Sequence, residues 1–242
     1  MGLNRFYTYN GKPIRTAEGA PIGYEKTLPP TDYFSLWNFE TNLEQNNPLG
    51  STFYKAFDVN DSYEAGIKGN CARITGNGGH DATLLTQAKY PMFETNYTII
   101  GWFKHIEIYS ILSFFETRNS KDGDFIYAVD ANKLAIGRQG DTDIIVSTRE
   151  FTFMNQWNLI ALTGNTTSLS GWVNGESILT LNKAIPTYTL NELYLPMKGS
   201  SSFEAGFKTC LIDELRVYDY ELSSDQIMAI YEDEYHDELF NF

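Results

Sequence analysis

Cysteine and histidine are scarce: the 242 residues include two of the first and three of the second. Cys71 and Cys210 have no metal-type spacing, and His80, His105 and His236 are scattered. Neither a zinc site nor a disulfide-stapled scaffold is therefore expected, and the cysteines read as buried free thiols. Basic residues are few as well. Eighteen Lys and Arg stand against 31 Asp and Glu, a net charge of −13. Such a field repels nucleic acids and anionic membranes, so neither is expected as a partner. No run reaches the roughly 18 apolar residues of a membrane-spanning helix. The opening "MGLNRFYTYNGKPIRT" lacks the apolar core of an export signal, and Phe6 stands where a myristoylation motif needs Ser or Thr. "HDEL" at 236–239 is not terminal and is no retention address. Without export, the glycosylation patterns "NYT" at 96 and "NTT" at 165 carry no weight.

What the chain has in quantity is apolar and aromatic surface: 42% of residues are hydrophobic and 15% aromatic. That composition favours strands around a substantial core. Residues 1–30 differ from the rest. "YNGKPIRTAEGAPIGYEKTLPP" has Gly or Pro every few residues and no sustained apolar period, and reads as an extended arm ending at Pro29-Pro30. The arm cannot bury its own Phe6, Tyr7, Tyr9, Ile14 and Ile22, so these are expected to anchor it on another surface. From residue 31 to 235, short apolar or alternating runs recur between turn signals, among them "CARITG", "YTIIGWFKHIEIYSILSFF", "WNLIALTG" and "CLIDELRVYD". The spacing fits one antiparallel two-sheet sandwich, with "VDANK" and "VNGES" as hairpin tips. Residues 236–242 close an acidic tail, "EDEYHDELFNF" from 232 onward, which reads as a solvated end.

The stretch "CLIDELRVYDYELSSDQIMAIY" at 210–231 sets an acidic pair inside an apolar strand. Strict alternation puts Leu211, Asp213, Leu215 and Val217 on one face, the core face, and Ile212, Glu214, Arg216 and Tyr218 on the other. An inward Asp213 should accept hydrogen bonds from backbone amides of an adjoining segment, while Glu214 and Arg216 pair outside. All three are expected to be structural. Ser223 and Gln226 form a capping box, and Ile227, Ile230 and Tyr231 follow at helical spacing. They predict one short helix over about 223–233 that docks on the sandwich.

This strand-plus-helix ending resembles the signature that closes LamG-like jelly-roll domains of the concanavalin A-like lectin/glucanase superfamily, a pattern like "IDEVRIYNRALS" followed by a helix reaching "LY". Earlier pieces match in order: "LWNFE" resembles the opening strand, "CARITGNGG" resembles "alrFdG", and "YTIIGWFK" resembles "fTisaWvk". "WNLIALTGNTTSLSGWVNGE" resembles "WhhvAltydgttlrlYvNGe". The likeness covers roughly residues 31–232 and implies an all-β jelly roll with one C-terminal helix, the arm lying outside it. It also implies that Cys71 and Cys210 sit on adjacent strands, near disulfide geometry if they face each other, yet reduced.

Function is implied more broadly, because such modules bind glycans or proteins and the fold also carries glycosidases. The glucanase branch bears E-x-D-x-x-E on a strand, and nothing of that pattern occurs here, so no enzyme is expected. LamG-like relatives often hold calcium on a loop rim or near the chain ends. Asp122 and Asp124 in "NSKDGD" and Asp141 and Asp143 in "GDTD" offer hard oxygen ligands of that kind, although Asp and Gly build turns in any case. No other cofactor is expected. Trp37 and Trp157 match structural positions of the family and read as core. Alternation turns Trp172 outward with Ser170 and Asn174, and Trp102 with Thr98, Ile100 and Lys104, onto one sheet face. There Trp172, Trp102 and Asn174 would receive a sugar or a protein partner, the competing fate being burial under a loop or subunit.

A LamG-like domain with an anchoring arm and no export signal suits a phage particle, assembled in the host cytoplasm and released by lysis. The expectation is a non-enzymatic decoration or adhesion protein of head, tail or fibre. Its arm would join other virion proteins in a symmetric assembly, and its jelly roll would meet host surface glycans. The alternative is a glycan-binding, or less readily glycan-cleaving, module of a bacterial surface or secreted system, and a third reading is an intracellular interaction domain.

Overall fold

The computed structural model describes residues 28–33, 35–40, 59–76, 96–108, 112–118, 123–130, 132–138, 144–183, 192–195 and 207–240, with short strands at 4–6, 8–9, 12–13, 23–25, 53–55 and 84–87. Four of these strands lie in the arm: β1 (Asn4–Phe6), β2 (Thr8–Tyr9), β3 (Lys12–Pro13) and β4 (Gly23–Glu25). The next six are β5 (Ser35–Trp37), β6 (Phe53–Lys55), β7 (Val59–Ala65), β8 (Asn70–Gly76), β9 (Leu84–Gln87) and β10 (Tyr97–Ile108). Then follow β11 (Leu112–Arg118), β12 (Asp124–Val129), β13 (Lys133–Arg138), β14 (Ile145–Glu150) and β15 (Asn158–Gly164). The last are β16 (Ser168–Val173), β17 (Glu176–Asn182), β18 (Glu192–Leu195), β19 (Phe207–Tyr218) and the helix α1 (Ser224–Phe240).

Two antiparallel sheets face each other. One runs β17-β16-β15-β10-β19-β8-β7, with β5 also paired to β19, and the other runs β14-β13-β12-β11-β18-β9-β6. The core between them is built from Trp37, Phe39, Ile74, Ile99, Phe103, Phe114, Phe115, Ile126, Ile136, Ile160, Leu162, Ile212, Leu215 and Val217, among others. The central part of the first sheet's outer face is covered as well. Ile100, Trp102, Leu159, Ala161, Tyr218, Leu222, Ile227 and Ile230 form a second buried cluster there, beneath α1. Coverage on both faces explains why "YTIIGWF" reads as a continuous apolar run rather than a clean alternation. The expected hairpin tips are turns, with positive φ at Asp130 and at Asn174 and Gly175.

The arm is less open than its composition suggests. β1 pairs with β4 and β2 with β3, so the backbone folds back on itself in two short ladders. Its end is fixed to the sandwich. The Tyr218 hydroxyl donates to the Pro30 carbonyl at 3.1 Å, and the Tyr220 hydroxyl donates to Asp32 Oδ1 at 2.7 Å. The helix also exceeds its expected span. Ser223 and Gln226 bond reciprocally as a capping box, and the helix continues to Phe240 through the segment read as a solvated tail. Tyr231, Glu234 and Tyr235 continue the docked face, and that contact holds the added turns.

The central strand β19 breaks strict alternation. Opposite Ile100 and Trp102 of β10 stand Arg216 and Asp213, so β19 carries one extra residue there, a bulge with Glu214 at φ 46°. Before the bulge Cys210 and Ile212 point to the core; after it Leu215 and Val217 do. The core-face set expected from alternation is therefore corrected: Leu211 and Asp213 share the outer face with Arg216, opposite Lys104, Trp102 and Ile100. One inserted residue exchanges the faces, as any single-residue slip must.

The bulge also marks a change of neighbour. Thr209–Ile212 pair with β8, whereas Leu215–Val217 pair with β5. The cysteines do lie on adjacent strands, but Cys210 stands opposite Ile74 and Ile212 opposite Ala72. Since Ala72, Ile74 and Cys210 all line the core, Cys71 is on the opposite face, and the two thiols do not face each other. Both are free and buried. Burial, followed by Asp213 and Glu64, pushes the Cys71 thiol up to about 12, and burial raises Cys210 well above its ordinary value. Both should behave as inert apolar groups. Reducing agent is expected to leave the melting temperature unchanged, and thiol labelling should be slow until denaturant is added; fast labelling of either cysteine in native protein would contradict this packing.

Candidate functional site

Asp213 is fully buried, and its carboxyl gathers three backbone amides. Ile67 and Lys68 donate to Oδ2 at 2.8 and 3.1 Å, and Glu214 donates to Oδ1 at 2.8 Å. The carboxyl thus ties the turn between β7 and β8 to the bulge of β19. A Cβ at Gly66 would collide with Asp213 Oδ2, so this turn needs glycine to approach so closely. Burial pushes the Asp213 carboxyl up to about 8, and the amides of Lys68, Glu214 and Ile67 oppose that rise.

Next to it, Arg216 lies between two carboxylates. Its Nη2 donates to Glu214 Oε2 at 2.5 Å and to Glu234 Oε1 of α1. The trio is not outside, as alternation suggested, but sealed under the helix: Arg216, Glu214 and Glu234 are 8, 4 and 6% exposed. Burial raises the Glu214 carboxyl while Arg216 lowers it. Burial disfavours the guanidinium, but Glu234 and Glu214 more than offset it, and Arg216 stays charged.

Trp102 completes this layer and is no ligand platform. It is fully buried, its ring stacks on Tyr231 at 5.8 Å and Tyr235 at 6.3 Å, and its Nε1 donates to Glu234 Oε2 at 2.6 Å. Trp172 is half-buried beside the same cluster and donates to Thr163 Oγ1 at 3.1 Å. Trp157 also packs in this outer layer rather than in the central core, where Trp37 lies. Asn174 builds its own turn: Oδ1 accepts from the Leu159 amide at 2.9 Å and Nδ2 donates to Asn158 Oδ1 at 3.1 Å. The face expected to receive a ligand is thus occupied by the chain's own helix.

Of the expected calcium ligands, Asp122, Asp141 and Asp143 lie outside the described residues. Asp124 is fully buried and accepts a hydrogen bond from the Tyr97 hydroxyl, which ties the two sheets together instead of lining a rim. Among the described residues no group of three His, Cys, Asp or Glu is placed to hold an ion. Of the expected anchoring residues, Phe6 and Tyr9 are described only as backbone in β1 and β2, and Tyr7, Ile14 and Ile22 lie outside the described residues.

An open groove of about 370 Å³ lies where the chain crosses from one sheet to the other, between β14 and β15. It is lined by Asn132, Glu150, Phe151, Thr152, Phe153 and Met154. The Phe151 amide donates to the Asn132 carbonyl at 2.7 Å, which joins the β12–β13 turn to the crossing segment. Phe151 stacks on Phe153 at 5.5 Å, and the Arg149 guanidinium lies 4.9 Å from its ring centroid, so this wall is firmly built. Arg149 is held by Glu176, and Lys133 lies 4.0 Å from Glu150. Asn132 Oδ1 is buried with no hydrogen-bond partner. No local sequence signal announces Asn132 and Glu150, because a distant turn and a crossing segment bring them together. Sequence reasoning misses Glu234, which reads as part of the solvated tail, although its continuation of the helical spacing of Ile227 and Tyr231 is the signal that could have found it.

Residues 77–228 match the family described as the concanavalin A-like lectin/glucanases superfamily. The chain belongs to that superfamily. No curated protein matches it. Among solved structures it is similar to the binding domain of botulinum neurotoxin serotype G, at 11% identity and TM-score 0.63, covering 84% of this chain and 51% of that one. It is also similar to the binding domain of botulinum neurotoxin DC in complex with SialylT, at 13% identity and TM-score 0.62, covering 83% and 50%. The binding domain of Paraclostridial Mosquitocidal Protein 1 is similar at 16% identity and TM-score 0.61, covering 83% and 52%. The chain spans about half the length of these domains, and at such identities the likeness shows the superfamily's lectin-like fold.

Two predictions follow from the buried polar layer. Asp213→Asn should cost about 1–3 kcal/mol, because an amide nitrogen then faces backbone donors. A carboxyl raised in the folded state lends stability that is full below its unfolded value near 3.8 and is lost as pH rises towards about 8. Urea titrations from pH 4 to 8 should therefore show a flatter pH dependence in the variant than in the native protein. Glu234→Ala should cost about 3–5 kcal/mol by leaving a buried ion pair incomplete. It should also shift tryptophan emission to the red as Trp102 meets water; unchanged emission would mean that α1 is held by other contacts.

Proposed function

We propose that the chain is a non-enzymatic adhesion module, a lectin-like sandwich that binds glycan in the rim groove and is carried by its arm on a larger assembly. The observation that supports this most directly is the allocation of carboxylates. A glycosidase needs two of them across one sugar bond, about 5–9 Å apart. Asp213 is held by amides, Glu214 and Glu234 by Arg216, and Asp124 by Tyr97, and among the described residues Glu150 is the one carboxylate lining the groove. That composition serves binding and not hydrolysis.

The placement of the arm supports display. Residues 30–32 are fixed at the Tyr218 end of β19, whereas Met154 of the groove bridges to His105, which stands opposite Cys210. Eight residues of strand separate the two, roughly 25 Å at strand rise. On this reading the assembly is a phage particle, with other virion proteins as partners of the arm in a symmetric arrangement. A glycan-binding module of a secreted bacterial system is the second reading, favoured by the likeness to toxin binding domains.

Incubation with β-glucans and host polysaccharides should release no reducing ends, while immobilised glycans should retain the protein. Deleting residues 2–28 should leave a folded domain that still binds glycan and no longer joins its assembly. Reducing-end release that disappears on Glu150→Gln would establish catalysis instead.

A further inference from the structure

The lining of the groove allows the chemistry of a ligand to be read, and the reading rests on the glycan-binding function proposed above. We infer that the groove selects neutral glycans, recognised through their hydroxyl donors, and rejects sialylated or otherwise anionic ones.

Among the described residues its lining has a carboxylate, an amide, a hydroxyl and three apolar side chains, and no cation. Two cations next in sequence to lining residues are already matched. Arg149 is bonded to Glu176 and packed on Phe151, and Lys133 faces Glu150. A sialic acid carboxylate entering here would find no uncommitted positive group among the described lining residues, would meet Glu150, and would approach a chain of net charge −13. Anion recognition in proteins relies on Arg or Lys donors, and a field of like sign suppresses encounter as well as affinity.

A sugar hydroxyl is matched in the opposite sense. Glu150 lines the groove with a carboxylate, and Asn132 lines it too, with a buried Oδ1 that has no partner among the described residues and that a turn of the amide would bring to a ligand. A buried acceptor left unsatisfied carries a penalty that a ligand donor removes. Ring stacking is the lesser contribution, since Phe151 already contacts Phe153 and the Arg149 guanidinium. Selectivity then comes from hydrogen-bond polarity: a hydroxyl can turn its O–H to an acceptor, whereas an ionised carboxylate or sulfate has acceptors only.

The test uses the full chain and paired probes: N-acetyllactosamine and other neutral oligosaccharides against their sialylated and sulfated counterparts. Binding is read by isothermal titration and by backbone amide shifts of the native protein. The expected result is binding of neutral members, with amide shifts at Asn132 and Glu150–Met154, and at least tenfold weaker binding of the anionic members. Asn132→Ala should weaken neutral binding about tenfold, the equivalent of one hydrogen bond. Glu150→Lys should admit sialylated probes and reduce the discrimination. The native amide shifts map the site even if a variant fails to fold. Equal or tighter binding of sialylated glycans, or neutral binding whose shifts lie away from the groove, would overturn this inference while leaving glycan binding intact. Binding of no member of either series would overturn both.

Discussion

A carboxyl group on a bulged strand organises this sandwich. β19 is the strand against which β10, β8 and β5 are all laid, and its edge has a local break where it passes from β8 to β5. The bulge at Glu214 supplies the break, and Asp213 stabilises it by collecting the amides of the β7–β8 turn as well as its own neighbour's. The same residue therefore fixes a loop, a register and a change of strand partner. Gly66 is dictated by it, and the phase that sends Leu215 and Val217 into the core follows from it.

The second constraint is that the central strands of the sheet built on β19 are buried on both faces. Once Arg216 is turned outward by the bulge, its charge must be neutralised under a layer that also contains Trp102 and Tyr218. Glu214 from the strand and Glu234 from the helix share that task, so the docking of α1 is an electrostatic requirement as much as an apolar one. A helix whose sequence is strongly acidic, with no basic residue in its last turn, is held because one of its carboxylates has a buried guanidinium to meet.

The jelly roll was legible because its strands announce themselves by period and its closing strand-plus-helix carries a specific pattern. The hairpin at Asn174-Gly175 and the capping box of Ser223 and Gln226 were legible for the same reason, since each is decided within four residues. The faces of β19 were not, because alternation has no means of announcing an inserted residue, and every side assignment before the bulge inverts. Trp102 shows the other limit. Its outward orientation follows from the strand, but what lies over it is a helix some 130 residues later, and exposure is a property of that distant partner. The groove residues are harder still, being ordinary turn and edge residues until the crossing segment folds beside them.

The tie between Tyr218 and Pro30 has a mechanical meaning. It grips the arm at one end of β19, while the groove opens at the other. If the arm is held and a ligand in the groove is pulled, the line of force runs along β10 and β19 and not across them. Their ladder then bears the load in shear, all rungs together, instead of opening one rung at a time like a zipper. The bulge gives that ladder a notch against sliding, so the geometry that sorts side chains between two faces also equips the domain to hold on under tension.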